Sequence, residues 1–120
     1  MRLELPYPPT TNNLFINRGR KRIKSSEYRA WSELCTWQIK QQKPPKVVGP
    51  YAVDIVVKRP DRRKRDISNL IKALEDALVE NGIVEDDSLC QELTIRWQDH
   101  EDCPLIHVYA TKDVRLESAA

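Results

Sequence analysis

Lys58, Arg59, Arg62, Arg63, Lys64 and Arg65 stand directly ahead of Asp66. A basic block this dense can neutralise several phosphates of a nucleic-acid backbone. Further along lies a run of acids, Glu85, Asp86 and Asp87. Clustered carboxylates repel phosphate unless a divalent cation lies between them. Bases and acids within the one stretch from Arg59 to Asp87 therefore point to metal-assisted chemistry on a phosphodiester.

Each of these residues also has a plainer role open to it. Asp66 stands where a helix begins, so it can cap the first turn as well as bind a metal. Lys72 precedes Glu75 by three residues, which suits a surface ion pair. Asn69, Lys72 and Asp76 recur at helical spacing and share one face, where Asp76 is either part of a polar site or a solvated acid. Asp86 and Asp87 suit a turn equally well. A second basic block, Arg18, Arg20, Lys21, Arg22 and Lys24, is either a phosphate contact or a solvated loop.

The elements that must position these groups follow from periodicity. Arg2 to Leu5 is strand-like and ends at Pro6-Tyr7-Pro8-Pro9, a corner that cannot continue a ladder. Leu14-Phe15-Ile16 and Ile23 predict a short hairpin about Asn17-Arg18-Gly19. Ser25 or Ser26 caps a helix to about Gln42, with Tyr28, Trp31, Cys35 and Ile39 on its core stripe and Ala30 and Trp37 opposite. The Trp37 face is a candidate subunit interface. After the linker from Lys43 to Pro50, Tyr51 to Lys58 alternates as a strand. A helix from Asp66 to Asn81 follows, with Ile67, Leu70, Ile71, Leu74, Ala77 and Leu78 as its apolar stripe and a stop at Asn81-Gly82. Leu93, Ile95 and Trp97 alternate in a further strand, and Leu105 to Thr111 forms the last. Lys112 to Ala120 is expected to be a frayed tail. The order predicts a single α+β domain over residues 1–120, a small mixed sheet packed with two main helices.

With 120 residues, the chain is long enough for one real core. Its net charge of +2 does not announce a nucleic-acid binder; the distribution does, because much of the positive charge sits in the two blocks. No signal peptide or membrane-spanning apolar run is apparent, so a cytoplasmic protein with no membrane association is expected. Cys35, Cys90 and Cys103 fit reduced thiols. Cys90, His100, Cys103 and His107 lack the paired spacing of a zinc site.

The pattern R-D-x-x-N-L-x-K-A-x-x-D-A-L, carried by Arg65, Asp66, Asn69, Leu70, Lys72, Ala73, Asp76, Ala77 and Leu78 and followed by Asp86-Asp87, resembles the RusA family of Holliday junction resolvases. Leu5-Pro6-Tyr7-Pro8-Pro9 with Asn12-Asn13 resembles the family's L-P-x-P-P…N opening. The resemblance implies a RusA-like fold and an endonuclease that resolves four-way DNA junctions as a homodimer, using Mg²⁺ or Mn²⁺. Carried over by position, it makes Asp66, Lys72 and Asp87 catalytic. Asp66 and Asp87 are the metal ligands, with Asp86 beside them, and Arg65 serves DNA binding. Arg62, Arg63, Lys64, Arg18, Arg20, Lys21 and Arg22 would supply further grip on the junction arms. One position departs. The family commonly has R-D-x-D-N, and Ser68 stands here where that second aspartate is expected, a weaker ligand for a hard cation. Asp76 or Glu85 is then a possible substitute ligand, and a junction-binding protein with reduced catalysis is the alternative. Whether Asp87 returns to the Asp66 end depends on how tightly Gly82 reverses the chain.

Overall fold

The computed structural model describes residues 1–10, 13–99 and 106–111. Alternation in Tyr51 to Val57 produces an inner strand with Tyr51, Val53, Ile55 and Val57 buried on one side. In chain order the elements are β1 (Arg2–Leu5), β2 (Phe15–Arg18), β3 (Lys21–Lys24), α1 (Ser26–Gln42), β4 (Tyr51–Val57), α2 (Ile71–Glu80), β5 (Cys90–Trp97) and β6 (Ile106–Thr111). Short 3₁₀ turns span Ile67–Leu70 and Asp87–Leu89.

The main sheet has the order β1-β6-β4-β5. β6 is antiparallel to β1 and to β4, whereas β4 and β5 run parallel. The expected α+β class, a mixed sheet with two main helices, is therefore found. Leu3, Leu5, Val108 and the inward residues of β4 form one core with α1 and α2. The other sheet face is polar. It carries an Arg96–Asp54 ion pair at 2.9 Å and a contact of 3.2 Å between His107 and Glu4.

The stripe Tyr28, Trp31, Cys35 and Ile39 is buried as its spacing predicts, and Trp37 is left 58% exposed. Ser25 is the cap of α1, and its hydroxyl accepts from the Tyr28 amide at 3.1 Å. Ser25→Ala is expected to lower stability by about 1 kcal/mol, read from the urea unfolding midpoint. At the other end the Gln42 amide both accepts from and donates to the Glu4 backbone, at 2.8 and 2.7 Å. That closes hydrogen-bonding groups on the edge of β1.

Three boundaries differ from expectation. The hairpin turns at Gly19-Arg20, so Asn17 and Arg18 belong to β2; Gly19 has φ +61°, which a residue without Cβ adopts freely. Leu14 lies outside the strand, fully buried. The segment after Asp66 begins as a 3₁₀ turn and becomes α-helical only at Ile71. Ser68 and Asn69 compete with the backbone for hydrogen bonds and suit a first turn better than a helix interior. The register this sets puts Ala73 in the core, where Ile71 was expected, and leaves Ile71 half-buried.

Gly82 ends α2 with φ +68°, and Ile83 and Val84 pack into the core behind it. Val84 bridges to Val47, and β5 then runs parallel to β4, so the chain does turn back along α2. The expected strand start at Leu105, the loop between Asp99 and Ile106, and the tail from Lys112 fall outside the described residues.

Candidate active site

The Pro-rich corner after β1 is tied to α1 by the Trp31 indole, which donates to the Pro6 carbonyl at 3.0 Å. This holds Tyr7, Pro8 and Thr10 against the end of the basic block. Together with Arg63, Lys64, Arg65, Asp66, Asn69 and Leu70 they line a cleft of about 410 Å³. Two sequence motifs more than fifty residues apart thus form the walls of one cleft.

Arg65 is the fixed cation of that cleft. Its guanidinium lies 5.3 Å from the Tyr7 ring centre. It donates to both Asp61 oxygens, from Nε at 3.3 Å and from a terminal nitrogen at 2.7 Å. The Arg65 hydrogen bond, ahead of the Arg63 amide, holds the Asp61 carboxyl below its ordinary range. Burial raises the Tyr7 phenol, which therefore stays protonated at neutral pH. Arg62, Arg63 and Lys64 are exposed, with the Arg63 side chain 84% accessible. Arg59 leaves this group: it pairs with Asp99 and stacks 4.6 Å from the Trp97 ring centre.

Asp66 has extended backbone at the head of the 3₁₀ turn, and its side chain makes no capping hydrogen bond among the described residues. Its Oδ1 accepts from the Ser68 hydroxyl at 3.0 Å instead. The cap role open to it in the sequence is not taken up. Lys72 hydrogen-bonds Asp76 at 3.3 Å rather than Glu75. The other Asp76 oxygen accepts from the buried Tyr28 hydroxyl at 2.7 Å, so both oxygens are engaged inside the protein. Burial, and then that hydrogen bond, pushes the Tyr28 phenol well above its usual range. Glu85 accepts from the Gly49 amide at 3.1 Å and so tethers the linker.

Asp86 caps the second 3₁₀ turn, accepting from the Ser88 amide at 2.9 Å; this bond is the main reason its carboxyl lies below the ordinary range. Asp87 is exposed at the first position of that turn, which packs on α2. Its charge is felt by Glu75, whose carboxyl is raised first by burial and then by Asp87. The Tyr51 hydroxyl is buried there with no hydrogen-bond partner among the described residues. The structure thus joins Arg65 and Asp66 in the cleft, joins Lys72 to Asp76, and packs the turn carrying Asp87 on α2, where its charge reaches Glu75. Among the described residues no three His, Cys, Asp or Glu side chains are grouped to hold a metal ion.

The hairpin presents Arg18, Arg20 and Lys21 to solvent, while Arg22 lies over the Phe15 ring at 4.3 Å. Cys35 and Cys90 are free thiols, and burial pushes Cys35 up to about 12. His100 and Cys103 lie outside the described residues. No described helix is long and apolar enough to cross a membrane. Sequence reasoning gave no site role to Tyr7, Asp61, Glu75 or Tyr51. An acid inside a basic run was a readable signal for Asp61; the other three take their places from long-range packing.

The family model described as endodeoxyribonuclease RusA matches residues 6–114. The chain is 39% identical over 88 residues to the crossover junction endodeoxyribonuclease RusA of Shigella sonnei, covering 72% of each chain. It is 32% identical over 91 residues to that of Aquifex aeolicus, covering 75% of this chain and 71% of the relative. The protein of the same name from Enterobacteria phage HK97 is 30% identical over 94 residues, covering 76% and 77%.

Proposed function

Because the chain belongs to the RusA family of endodeoxyribonucleases, we propose that it is a cytoplasmic Holliday junction resolvase, a homodimer that cuts four-way DNA junctions with Mg²⁺ or Mn²⁺. The observation that carries this reading is the cleft where Tyr7 and Pro8 of the opening motif face Arg65, Asp66 and Asn69 of the central one.

In this reading Arg65 receives a backbone phosphate. Its planar fork is already aligned by Asp61 and Tyr7, so little side-chain freedom is lost on binding. Arg62, Arg63 and Lys64 extend the same positive surface out of the cleft, giving grip without sequence readout. Asp66 and Asp87, with Asp86 beside the latter, are the carboxylates for the cation. A cation held there would supply an acidified water and neutralise charge on the phosphate oxygens. Lys72 steadies charge on the scissile phosphate or the leaving oxygen. Its ammonium is half-exposed, and a contact of this kind with Asp76 is worth about 0.2–1 kcal/mol, so it is readily exchanged. A four-way junction has two-fold symmetry and is cut twice, which an isologous dimer matches. The exposed Trp37 face of α1 is the first surface to test for that contact.

The test is incubation with a synthetic four-way junction and a matching linear duplex, with and without Mg²⁺ or Mn²⁺. Paired symmetric nicks confined to the junction are expected. Equal cutting of the duplex, or no junction preference in binding, overturns the reading. Ser68, bonded to Asp66 and bringing no charge, favours a second reading: tight junction binding with little cutting. Restoration of nicking by Ser68→Asp distinguishes it.

A further inference from the structure

Glu75 fills an unspecified position of the central motif, yet it stands where another carboxylate is wanted. The turn carrying Asp87 packs on α2, and the charge of Asp87 reaches Glu75 more strongly than that of its own sequence neighbour Asp76. Glu75 is half-buried and accepts no hydrogen bond or ion pair among the described residues. Lys72 offsets part of the repulsion at Glu75, but the burial of Glu75 and the charges of Asp87 and Asp76 all disfavour its ionised form, which a shared cation would relieve.

A second observation converges on the same place from the sheet. Tyr51 is 0% exposed, and its hydroxyl finds no partner among the described residues. Cys90 stands opposite Tyr51 in the β4–β5 register, three residues after Asp87, so that turn is delivered next to the phenol. The Cys90 thiol approaches the 92 carbonyl at 3.5 Å and is at most a weak partner for the hydroxyl. Charges on both Glu75 and Asp87 reach the Tyr51 oxygen. A buried hydroxyl with no partner beyond a weak thiol, within reach of two acidic charges, marks a place that something else completes.

We propose that Glu75 takes over from the carboxylate missing at Ser68 and pairs with Asp87 in holding the divalent cation, with the Tyr51 hydroxyl donating to one of the two carboxylates from behind. These two carboxylates join Asp66 of the proposed function, and the remaining positions are left to water and phosphate oxygens, as suits Mg²⁺ and Mn²⁺. The proposal rests on reading the chain as a metal-dependent nuclease, and it accounts for how one with Ser68 retains its negative charge.

Mn²⁺ binding to the DNA-free full-length chain, followed by loss of the free-ion EPR signal, tests it. Glu75→Gln is expected to weaken Mn²⁺ about tenfold or more, and Tyr51→Phe about threefold. Glu75→Gln keeps the side-chain shape and removes a half-buried charge that Asp87 and Asp76 oppose, so its metal-free melting temperature should equal or exceed that of the wild type. Mn²⁺ should then raise the wild-type melting temperature and leave that of Glu75→Gln unchanged. Binding by Glu75→Gln within about twofold of wild type, or no binding by the wild type, overturns the proposal. Scoring junction nicking on the same preparations separates the two ideas. If the wild type nicks and Glu75→Gln binds and nicks equally well, this inference fails and the resolvase reading stands. Glu75-dependent Mn²⁺ binding by a wild type that never nicks supports the metal site and removes the resolvase reading.

Discussion

Asp66→Asn is expected to slow junction cutting by about two to three orders of magnitude while leaving junction affinity almost unchanged. The expectation comes from what the Asp66 carboxylate does and does not do in the fold. It has extended backbone at the head of a 3₁₀ turn and caps nothing there, and it accepts from the Ser68 hydroxyl at 3.0 Å. An amide oxygen accepts that bond equally well, so unfolding should move by no more than about 0.5 kcal/mol. What Asn does not keep is the negative charge, which the chemistry of a hard cation requires. The check is single-turnover nicking of a labelled four-way junction beside gel-shift affinity for the same DNA. Asp86→Asn makes a useful contrast. Asp86 caps the Asp87–Leu89 turn through the Ser88 amide, so its substitution acts through the position of Asp87 and should be milder. If Asp66→Asn cuts at the wild-type rate, the proposed metal role of Asp66 is lost.

The triple substitution Arg62→Ala, Arg63→Ala and Lys64→Ala is expected to weaken junction binding by about 30- to 100-fold near 0.1 M salt. It should also flatten the slope of log affinity against log salt by about 3. These side chains are exposed and hold little of the fold together, so the loss should appear in DNA binding and not in the unfolding midpoint. Arg65 differs in kind. Its guanidinium is hydrogen-bonded to Asp61 and stacked by Tyr7, so Arg65→Lys loses the fork and its alignment while keeping the charge. The salt slope should hold for Arg65→Lys, while cutting falls more than affinity does. Affinity and slope unchanged in the triple variant would place the DNA on another surface, the hairpin with Arg18, Arg20 and Lys21 being the next to test.

The central motif, the helical stripe of α1 and the alternation of β4 were legible because each depends on neighbours a few residues away. Period and burial settle Tyr28, Trp31, Cys35 and Ile39 without reference to the rest of the chain. Family pattern alone was enough to single out Arg65, Asp66, Lys72 and Asp87. Local spacing misplaced the start of α2: the Asn69 amide closes a 3₁₀ turn on the Asp66 carbonyl, and Ser and Asn are weaker helix formers than the residues that follow.

Who stands beside whom is settled by long-range packing. The Arg59–Asp87 stretch announces bases and acids, but Asp76 is engaged by Tyr28 from forty-eight residues away. Arg65 is stacked by Tyr7, brought there because Trp31 holds the Pro6 carbonyl. The turn carrying Asp87 packs on α2 and leads into β5 beside Tyr51 because Gly82 reverses the chain and β5 returns parallel to β4. Contacts of this range depend on strand order and chain reversal, which local periodicity does not encode.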